Sequence, residues 1–267
     1  MRLRLLLLMC AALLGGCRNS TEQIVVASTT SVHDTGLLDT LIAEYQRQRT
    51  DARIMTVAVG SGEALELGRR GDADVLLVHS PAAERQFVSE GRAAMRHEIM
   101  QNDFVILGDT TDPAQVRSAT SAADALRRIA HAGQTFVSRG DESGTHVKER
   151  AIWDAAGMDP ASLPSGRYIS VGQGMTETLR VASERRGYTL SDVSTFTTLA
   201  NALKLDVLFQ GDPALANIYS VIAVREARNE DGARAFADFL RSPDAVRIIR
   251  SYGTARFGRP LFQPITH

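Results

Sequence analysis

The sequence predicts an α/β fold of two doubly wound α/β lobes joined by a two-strand hinge, and three observations support it. Short apolar runs alternate with helix-like segments along the whole chain, which is typical of right-handed βαβ units with parallel sheets. Two strand-to-helix turns rich in hydroxyl groups and glycine, at residues 28–31 and 138–145, fall in different parts of the chain. The 251 residues that follow a 16-residue leader are enough for two lobes of ordinary domain size.

The first residues have the pattern of an export signal. Arg2 and Arg4 precede an apolar run at residues 5–14, and small residues follow it. This run is far shorter than the roughly 20 residues that a membrane-spanning helix needs. We therefore expect residues 1–16 to be a signal peptide, and the mature protein to be periplasmic or at the cell surface.

The end of this leader, Leu14-Gly15-Gly16-Cys17, resembles the lipobox of bacterial lipoproteins, in which the cysteine becomes the acylated N terminus. The resemblance implies lipid attachment at Cys17, with residues 17–22 as a tether and no other contact with the membrane. Gly15 is less usual at the second position, so cleavage without acylation stays open. Because Cys10 lies in the leader, we expect no intramolecular disulfide in the mature chain.

The first part of the mature chain repeats a strand followed by a helix. The expected pairs cover residues 24–27 and 37–48, 53–59 and 63–70, and 75–79 and 81–90. Pro81 supports the start of the third helix, because proline is favoured in the first helical turn.

The alternation continues to the end of the chain. The remaining strands are expected at residues 104–107, 135–137, 168–171, 207–209 and 218–224. The remaining helices are expected at residues 121–132, 145–156, 175–185, 195–203, 232–241 and 243–252. We assign residues 23–102 and 222–267 to lobe 1 and residues 103–221 to lobe 2. The hinge is then expected in the crossing strands near Phe104 and Ile222.

The composition argues against several classes of partner. The chain has a formal net charge of −1, and loss of the two positive charges of Arg2 and Arg4 with the leader makes it −3. Such a weak charge argues against nucleic acid or an anionic membrane surface as a partner. Aromatic residues make up 6% of the chain, with a single tryptophan, which disfavours carbohydrate because sugar sites usually offer stacking rings. We expect a monomer.

Turns at strand ends are the candidate binding elements. In open α/β sheets, ligands lie beyond the carboxyl ends of the strands, where helix N termini present free N–H groups and partial positive charge. The candidate donors are Thr29, Thr30, Ser31, Ser61, Gly62, Ser143, Gly144 and Thr145. Arg139 adds a planar, permanently charged donor. Because these residues divide between the lobes, the sequence predicts a small tetrahedral oxyanion in the cleft of a hinged periplasmic binding protein.

Several of these residues allow other roles. Asp141 is suited to holding the neighbouring guanidinium, to capping the helix or to accepting a proton from the ligand. His33, His79 and His146 lack the i, i+4 spacing of a helical zinc pair and have no cysteine beside them, so we expect no metal and no cofactor. A secreted hydrolase would use Ser143 and His146, but the Gly-x-Ser-x-Gly elbow is missing and both side chains leave the same helix start. We therefore expect a binding protein and not an enzyme.

Separated motifs match a known family in order along nearly the whole mature chain. They are Thr29-Thr30-Ser31, Asp34-Thr35-Gly36-Leu37-Leu38, Val59-Gly60-Ser61-Gly62-Glu63-Ala64-Leu65, Asp74-Val75-Leu76-Leu77-Val78-His79, Gln101-Asn102-Asp103-Phe104-Val105-Ile106-Leu107-Gly108, Ser138-Arg139-Gly140-Asp141-Glu142-Ser143-Gly144-Thr145-His146, Gly172-Gln173-Gly174-Met175 and Tyr188-Thr189-Leu190-Ser191-Asp192. Together they resemble the tungstate-binding proteins (TupA-type) of ABC transporters. The chain departs from the family after Asp192, where Val193-Ser194-Thr195-Phe196 stands in place of an expected Arg-Gly-Thr-Tyr.

The resemblance implies that the protein captures tungstate for an ABC importer and docks on its permease. Phosphate and molybdate are the alternatives within the class, phosphate because its binding proteins also carry an Arg-x-Asp-x-Ser-Gly-Thr pattern. The departure after Asp192 puts selectivity among oxyanions in question, but not the class. Because tungstate carries no proton near pH 7, we expect Asp141 to face Arg139 or backbone N–H groups. We also expect a tungstate affinity that is nearly flat between about pH 6.5 and about pH 8.

Overall fold

The computed structural model describes residues 22–266, and lobe 1 begins with three parallel strands. They are β1 (Glu22–Thr29), β2 (Ala52–Val59) and β3 (Val75–Val78). The helices that follow them are α1 (Thr30–Thr35), α2 (Leu37–Gln48), α3 (Ser61–Arg70) and α4 (Pro81–Ser89). Since β1 and β2 are in parallel register up to the pair Thr29–Val59, the turns that leave them lie side by side at one edge of the sheet.

The chain enters lobe 2 through the long strand β4 (Ala93–Gly108) and returns through β9. The strands of lobe 2 are β5 (Phe136–Ser138), β6 (Tyr168–Ser170), β7 (Thr189–Asp192) and β8 (Asp206–Phe209). Its helices are α5 (Ala122–His131), α6 (Gly144–Ala155), α7 (Met175–Arg185) and α8 (Val193–Leu199). The last elements are β9 (Ala216–Val224), α9 (Glu230–Phe239), α10 (Pro243–Ser251), α11 (Thr254–Phe257) and β10 (Gln263–Pro264).

Strands β4 and β9 form the hinge. They pair antiparallel up to the pair Asp103–Ala216 inside the lobe 1 sheet, whose strand order is β10-β4-β9-β3-β1-β2. From Phe104 onward, β4 pairs instead with β7 and β8 of lobe 2. Strand β5 pairs with β6 in parallel and reaches β7 through a bridge between Phe136 and Tyr188. The predicted two-lobed periplasmic-binding-protein fold with a two-strand hinge is therefore confirmed.

Two details of the sheets correct the prediction. The sheets are mixed rather than parallel, since β4, β9 and β10 run antiparallel to their neighbours. The second crossing lies at Ala216 and not near Ile222, because Ile222 pairs with Leu76 of β3 and Arg96 of β4 inside the lobe 1 sheet. This moves residues 216–221 to lobe 1. A strand that is buried along most of its length gives no sequence signal for the point where it changes lobe.

Helices α2 and α7 have the limits expected from the sequence. The first half of β4, and all of α1, β7, α11 and β10, were not among the expected elements. The first half of β4 escapes the pattern because Arg96, His97 and Glu98 interrupt its apolar residues. Strand β7 has the sequence Thr-Leu-Ser-Asp, and its polar side chains are buried. It therefore lacks the run of apolar residues by which a buried strand is recognised in a sequence.

Each lobe packs apolar side chains on both faces of its sheet, as a doubly wound fold requires. In lobe 1, Val75 and Leu77 of β3 belong to one buried cluster, whereas Leu76 and Val78 belong to another. In lobe 2, the alternation along β4 is the same, with Phe104 and Ile106 on one face and Val105 and Leu107 on the other. The strand period of two thus sets both cores.

The expected signal peptide and the lipid attachment at Cys17 lie outside the described residues. Within residues 22–266, no helix has both the length and the apolar character to cross a membrane.

Candidate oxyanion site

A cavity of about 480 Å³ lies between the lobes, at the edge where the strand-to-helix turns meet. Lobe 1 lines it with Thr30, Gly60 and Gly62, which belong to the turns after β1 and β2. Lobe 2 lines it with Arg139, after β5, and with Gly174, after β6. Three carboxylates also line it, namely Glu63 of lobe 1 and Asp141 and Glu142 of lobe 2. Four strand-to-helix turns therefore point into one cleft, as the rule for parallel strands predicts.

Three of the helices that begin at this cleft have no side-chain cap. The N-cap residues Thr29 of α1, Gly60 of α3 and Gly174 of α7 have extended backbones, and none of them offers a side-chain oxygen to the N–H groups of the first turn. The first amides of these helices thus keep their N–H groups for another partner. Aligned peptide dipoles add partial positive charge at the same points. The cleft therefore presents several backbone donors to an anion.

The guanidinium of Arg139 is buried in the wall of the cleft and contacts both lobes. Its Nη2 donates to Thr30 Oγ1 across the cleft at 3.1 Å, and its Nε donates to Asp141 Oδ2 at 2.8 Å. The second oxygen of Asp141 accepts from the backbone N–H of Ser143 at 3.2 Å. Asp141 thus faces Arg139 and an amide, which is the orientation expected from the sequence.

The turn that carries Arg139 depends on a glycine. Gly140 has a φ of +64°, and a Cβ built there would lie 1.7 Å from Ser170 Oγ on β6. Any other residue would combine a strained backbone with a collision. This close approach fixes the turn against β6, where Gly172 N–H also donates to Arg139 C=O at 2.8 Å.

Three of the candidate hydroxyl groups already accept one hydrogen bond from the protein. Thr30 Oγ1 accepts from Arg139, Ser61 Oγ accepts from the backbone N–H of His79, and Ser143 Oγ caps α6 by accepting from the N–H of His146. A hydroxyl group that accepts still has its own hydrogen to donate. These contacts thus orient the hydroxyl groups, of which that of Thr30 belongs to a residue that lines the cavity, whereas Ser61 and Ser143 are buried and do not line it.

Of the predicted donors, Thr30, Gly62 and Arg139 line the cavity, whereas the others do not. Thr29 Oγ1 and Ser31 Oγ are 3.2 Å apart, and both residues are buried. Thr145 Oγ1 is buried without a hydrogen-bond partner. Gly62 lies near the C=O of Glu142 in the opposite lobe.

The lobes touch closely at Gly144, the first residue of α6. A Cβ at this position would lie 2.8 Å from His79 Cε1 and 3.0 Å from the C=O of His79. His79 is buried, and this burial lowers the pKa of its imidazole to about 4, so the ring is neutral at pH 7. Its Nδ1 pairs with Asn217 Oδ1 at 2.8 Å. This hydrogen bond connects the contact between the lobes to β9, which carries Asn217. Asn217 also donates to Asn102 on β4, the other hinge strand.

The hydrogen bonds of Ser143 and His146 are those of a helix start. Ser143 Oγ accepts from the backbone of His146, while His146 Nδ1 accepts from the N–H of Glu142 at 3.1 Å. The two side chains therefore do not form the hydrogen bond of a nucleophile and its base. Among residues 22–266, no group of three or more His, Cys, Asp or Glu side chains is placed to hold a metal ion.

The segment that departs from the family pattern does not remove a charge from this cleft. Val193 lines a separate cavity, beside Arg259 and Gln210, on the side of the C-terminal segment. Thr195 is buried and its Oγ1 has no hydrogen-bond partner.

Sequence reasoning did not select several residues that line the cleft or meet across it. Gln173 and Gly174 line the cleft after β6, and His79 contacts Gly144. The run Gly172-Gln173-Gly174 shares the strand-to-helix signal of the other turns and was open to the same reasoning. The role of His79 had no such signal, because it depends on the approach of the two lobes.

Comparisons with known proteins agree with this architecture. A model of the PBP superfamily domain matches residues 18–244. The chain is 40% identical to the tungstate-binding protein TupA of Peptoclostridium acidaminophilum, over 90% of this chain and 85% of that protein. It is 43% identical to a putative ABC transporter anion-binding protein of Haloferax volcanii, over 92% of this chain and 72% of that protein. The solved structure of the tungstate-binding protein TupA from Desulfovibrio alaskensis G20 superimposes with a TM-score of 0.78 and 38% identity, over 92% of this chain and 100% of that one.

Proposed function

This chain belongs to the PBP superfamily and, within it, to the family of the TupA solute-binding proteins, and from that membership we propose that it captures tungstate between its lobes for an ABC importer. The observation that carries the proposal is the contact of Arg139 with Thr30 across a cleft that four strand-to-helix turns surround. No bond of the ligand changes in this role. The protein closes on the anion and presents it to the permease.

In this proposal, the contacts to the ligand come from one charged donor and several neutral donors. Arg139 supplies the charge, and the hydroxyl groups and amides of both lobes surround the oxygens. The neutral donors of this set are Thr29, Thr30, Ser31, Ser61, Gly62, Ser143, Gly144 and Thr145. Asp141 also lines the cleft, and its role in the proposal is to hold the guanidinium in place. Charge-assisted hydrogen bonds of this kind are about twice as strong as neutral ones.

Tungstate is favoured over phosphate because of where the carboxylate of Asp141 points. Phosphate keeps at least one proton near pH 7 and benefits from an acceptor at the ligand, whereas tungstate carries none. Both oxygens of Asp141 are occupied by Arg139 and by the amide of Ser143. A site of donors suits the fully deprotonated anion. Molybdate has the same charge and shape, and it is the closest competitor.

The proposal includes a location and a partner. The leader and the Cys17 motif favour a mature protein on the outer side of the membrane, held there by a lipid anchor. The ABC permease would receive the closed form, and the solute-binding protein would act as a monomer without a cofactor or catalytic activity.

Thermal unfolding with and without tungstate tests this function. A ligand that binds only the folded protein adds RT ln(1 + [L]/Kd), or about 4 kcal/mol at a thousandfold excess over Kd. We therefore expect a clear rise of the melting temperature with sodium tungstate and none with sodium chloride at matched ionic strength. An unchanged melting temperature at millimolar tungstate would contradict the proposal, and turnover of ester or phosphoester substrates would favour a hydrolase.

A further inference from the structure

Glu149 is a buried carboxylate beneath the turn that carries Arg139, and the proposed function gives it no role. It lies on α6 with a relative exposure of 1%. Thr145, Glu149, Ile152 and Trp153 follow the i, i+4, i+7, i+8 spacing of one helix face, so an ionisable group occupies a position of the apolar stripe. Isolated carboxylates are rarely buried in this way.

Its hydrogen bonds join the ends of two strands. Glu149 Oε2 accepts from Ser138 Oγ at 2.9 Å, and Oε1 accepts from Tyr168 Oη at 2.7 Å. Ser138 is the residue directly before Arg139, and Tyr168 begins β6, against which the Arg139 turn is packed. The carboxylate therefore holds β5 and β6 together directly before the turn from which Arg139 extends into the cleft.

The groups that face Glu149 are neutral donors. They are the hydroxyl groups of Ser138 on β5 and Tyr168 on β6, the backbone N–H of Arg139, and the indole of Trp153 on α6. Burial raises the pKa of Glu149 to about 7, although these donors lower it in part. Burial also raises the pKa of Tyr168, which therefore stays protonated, and the cation that acts on Tyr168 is Arg150 of α6.

We propose that Glu149 is a positioning residue for Arg139 and takes up a proton when the oxyanion binds, which makes capture depend on pH. The proposal rests on the proposed function. An anion at Arg139 brings further negative charge close to a buried carboxylate, and protonation of Glu149 removes the repulsion. One of the hydroxyl groups of Ser138 and Tyr168 then accepts from the carboxyl O–H while the other still donates to the second carboxyl oxygen, because a hydroxyl group donates or accepts as needed.

The direction of the effect follows from linkage. If the anion raises the pKa of Glu149, affinity is highest below the pKa of the free protein and falls as pH rises toward the pKa of the complex. The fall is at most tenfold per pH unit for one proton. We expect tungstate affinity to drop about three- to tenfold between about pH 6 and about pH 8. This replaces the flat profile expected from tungstate alone.

Calorimetric titration with tungstate at several pH values, in buffers of different ionisation enthalpy, measures both affinity and proton uptake. The wild-type protein should take up a fraction of a proton near pH 7. Glu149→Gln should take up none and should bind with an affinity independent of pH. Glu84→Gln is the matched control, because Glu84 is equally buried in lobe 1 but pairs with Arg96 and the amide of Ser80. It should keep the wild-type slope.

Trp153 gives a readout that needs neither ligand nor a variant. It is the single tryptophan of the chain, it is buried, and its indole lies close enough to Glu149 to lower the pKa of that carboxyl group. The fluorescence of the ligand-free wild-type protein should therefore titrate with a midpoint near pH 7. If the fluorescence shows this midpoint but the protein does not bind tungstate, the proposed function is contradicted while the titration of Glu149 is not. A flat fluorescence profile, or tungstate binding without proton uptake, would overturn the role of Glu149.

Discussion

The two walls of the cleft are built from different chemistry. The lobe 1 wall offers hydroxyl groups and uncapped helix amides after β1 and β2, none of them charged at the contact with Arg139. The lobe 2 wall carries the buried Arg139, with Asp141 beside it and Glu149 beneath it. A protein with almost no net charge thus concentrates its attraction for an anion in one lobe. The other lobe supplies neutral hydroxyl and amide donors, and the one acidic side chain on its side of the cavity is Glu63 of α3.

The backbones of the two walls differ in the same sense. In lobe 1, the N-cap residues Thr29 and Gly60 have ordinary extended conformations. In lobe 2, Gly140 has a φ of +64° and Glu142 a φ of +55° within the turn that holds Arg139. Backbone strain is often concentrated where a functional side chain must be aimed. Amide donors in lobe 1 therefore need only ordinary backbone conformations, whereas aiming one side chain at the ligand in lobe 2 requires residues with positive φ.

The largest effect is expected from Arg139→Lys. Lysine keeps the charge but loses the planar fork, and charge-assisted hydrogen bonds are worth about 1.5–3 kcal/mol. Tungstate affinity, measured by calorimetry, should fall about tenfold or more, while the melting temperature of the ligand-free protein changes little. Arg47→Lys is the control, because Arg47 is exposed, pairs with Glu44 on α2 and does not line the cleft. Equal affinities for both variants would place Arg139 outside the site.

Gly144→Ala tests whether the two walls must meet. Its Cβ would collide with the ring and the backbone C=O of His79 in the opposite lobe, and overpacking costs about 1–3 kcal/mol. The collision exists only when the lobes are together. Affinity should therefore fall about fivefold or more, with little change in the stability of the ligand-free protein. Normal affinity in Gly144→Ala would show that this contact is not needed for binding.

Thr30→Val measures how much a neutral donor of lobe 1 contributes to tungstate affinity. The substitution keeps the shape and removes the hydroxyl group that meets Arg139. A neutral hydrogen bond contributes about 0.5–1.5 kcal/mol, so the loss of affinity should be about two- to tenfold, and smaller than that of Arg139→Lys. The reverse order in the same titration would contradict the assignment of the main attraction for the anion to Arg139.

The smallest effect concerns stability and His79. Its pKa in the folded protein is depressed to about 4 by burial, so the folded state resists protonation more than the unfolded state does. Its stabilising contribution is complete above the unfolded pKa and is lost as pH falls below it. Between about pH 7 and about pH 5 the loss should be about 1–2 kcal/mol in urea unfolding.

His79→Asn should reduce this pH dependence, and His131→Asn, which changes an exposed histidine, should not. An identical pH dependence in both variants would mean that His79 is charged in the folded protein.

Much of this architecture could be predicted from the sequence because it depends on local signals. The apolar period of two and the hydroxyl-rich turns indicate the strands, the helix starts and the side of the sheet where a ligand lies. The turns of both lobes, and Arg139 with its partner Asp141, were found in this way. Sequence reasoning was wrong on the antiparallel strands and on the crossing at Ala216, because strand direction and partner are set by contacts distant in the chain.

The parts of the site that were missed are those that need two distant segments. His79 meets Gly144 only through closure of the lobes. Glu149 had a local signal, since it interrupts the buried face of α6, but its partners Ser138 and Tyr168 come from two other elements. A buried polar residue can be recognised from helical periodicity, whereas the group that satisfies it cannot.

The most direct test of the central claim is a calorimetric titration of ligand-free protein with tungstate, molybdate, sulfate and phosphate. We expect tungstate to bind at one site per chain and phosphate at least about a hundredfold more weakly, because each oxygen of Asp141 already accepts a hydrogen bond, from Arg139 or from the amide of Ser143, which weakens Asp141 as an acceptor for the phosphate proton. Tighter binding of phosphate than of tungstate would contradict the assignment and give Asp141 the role of the acceptor.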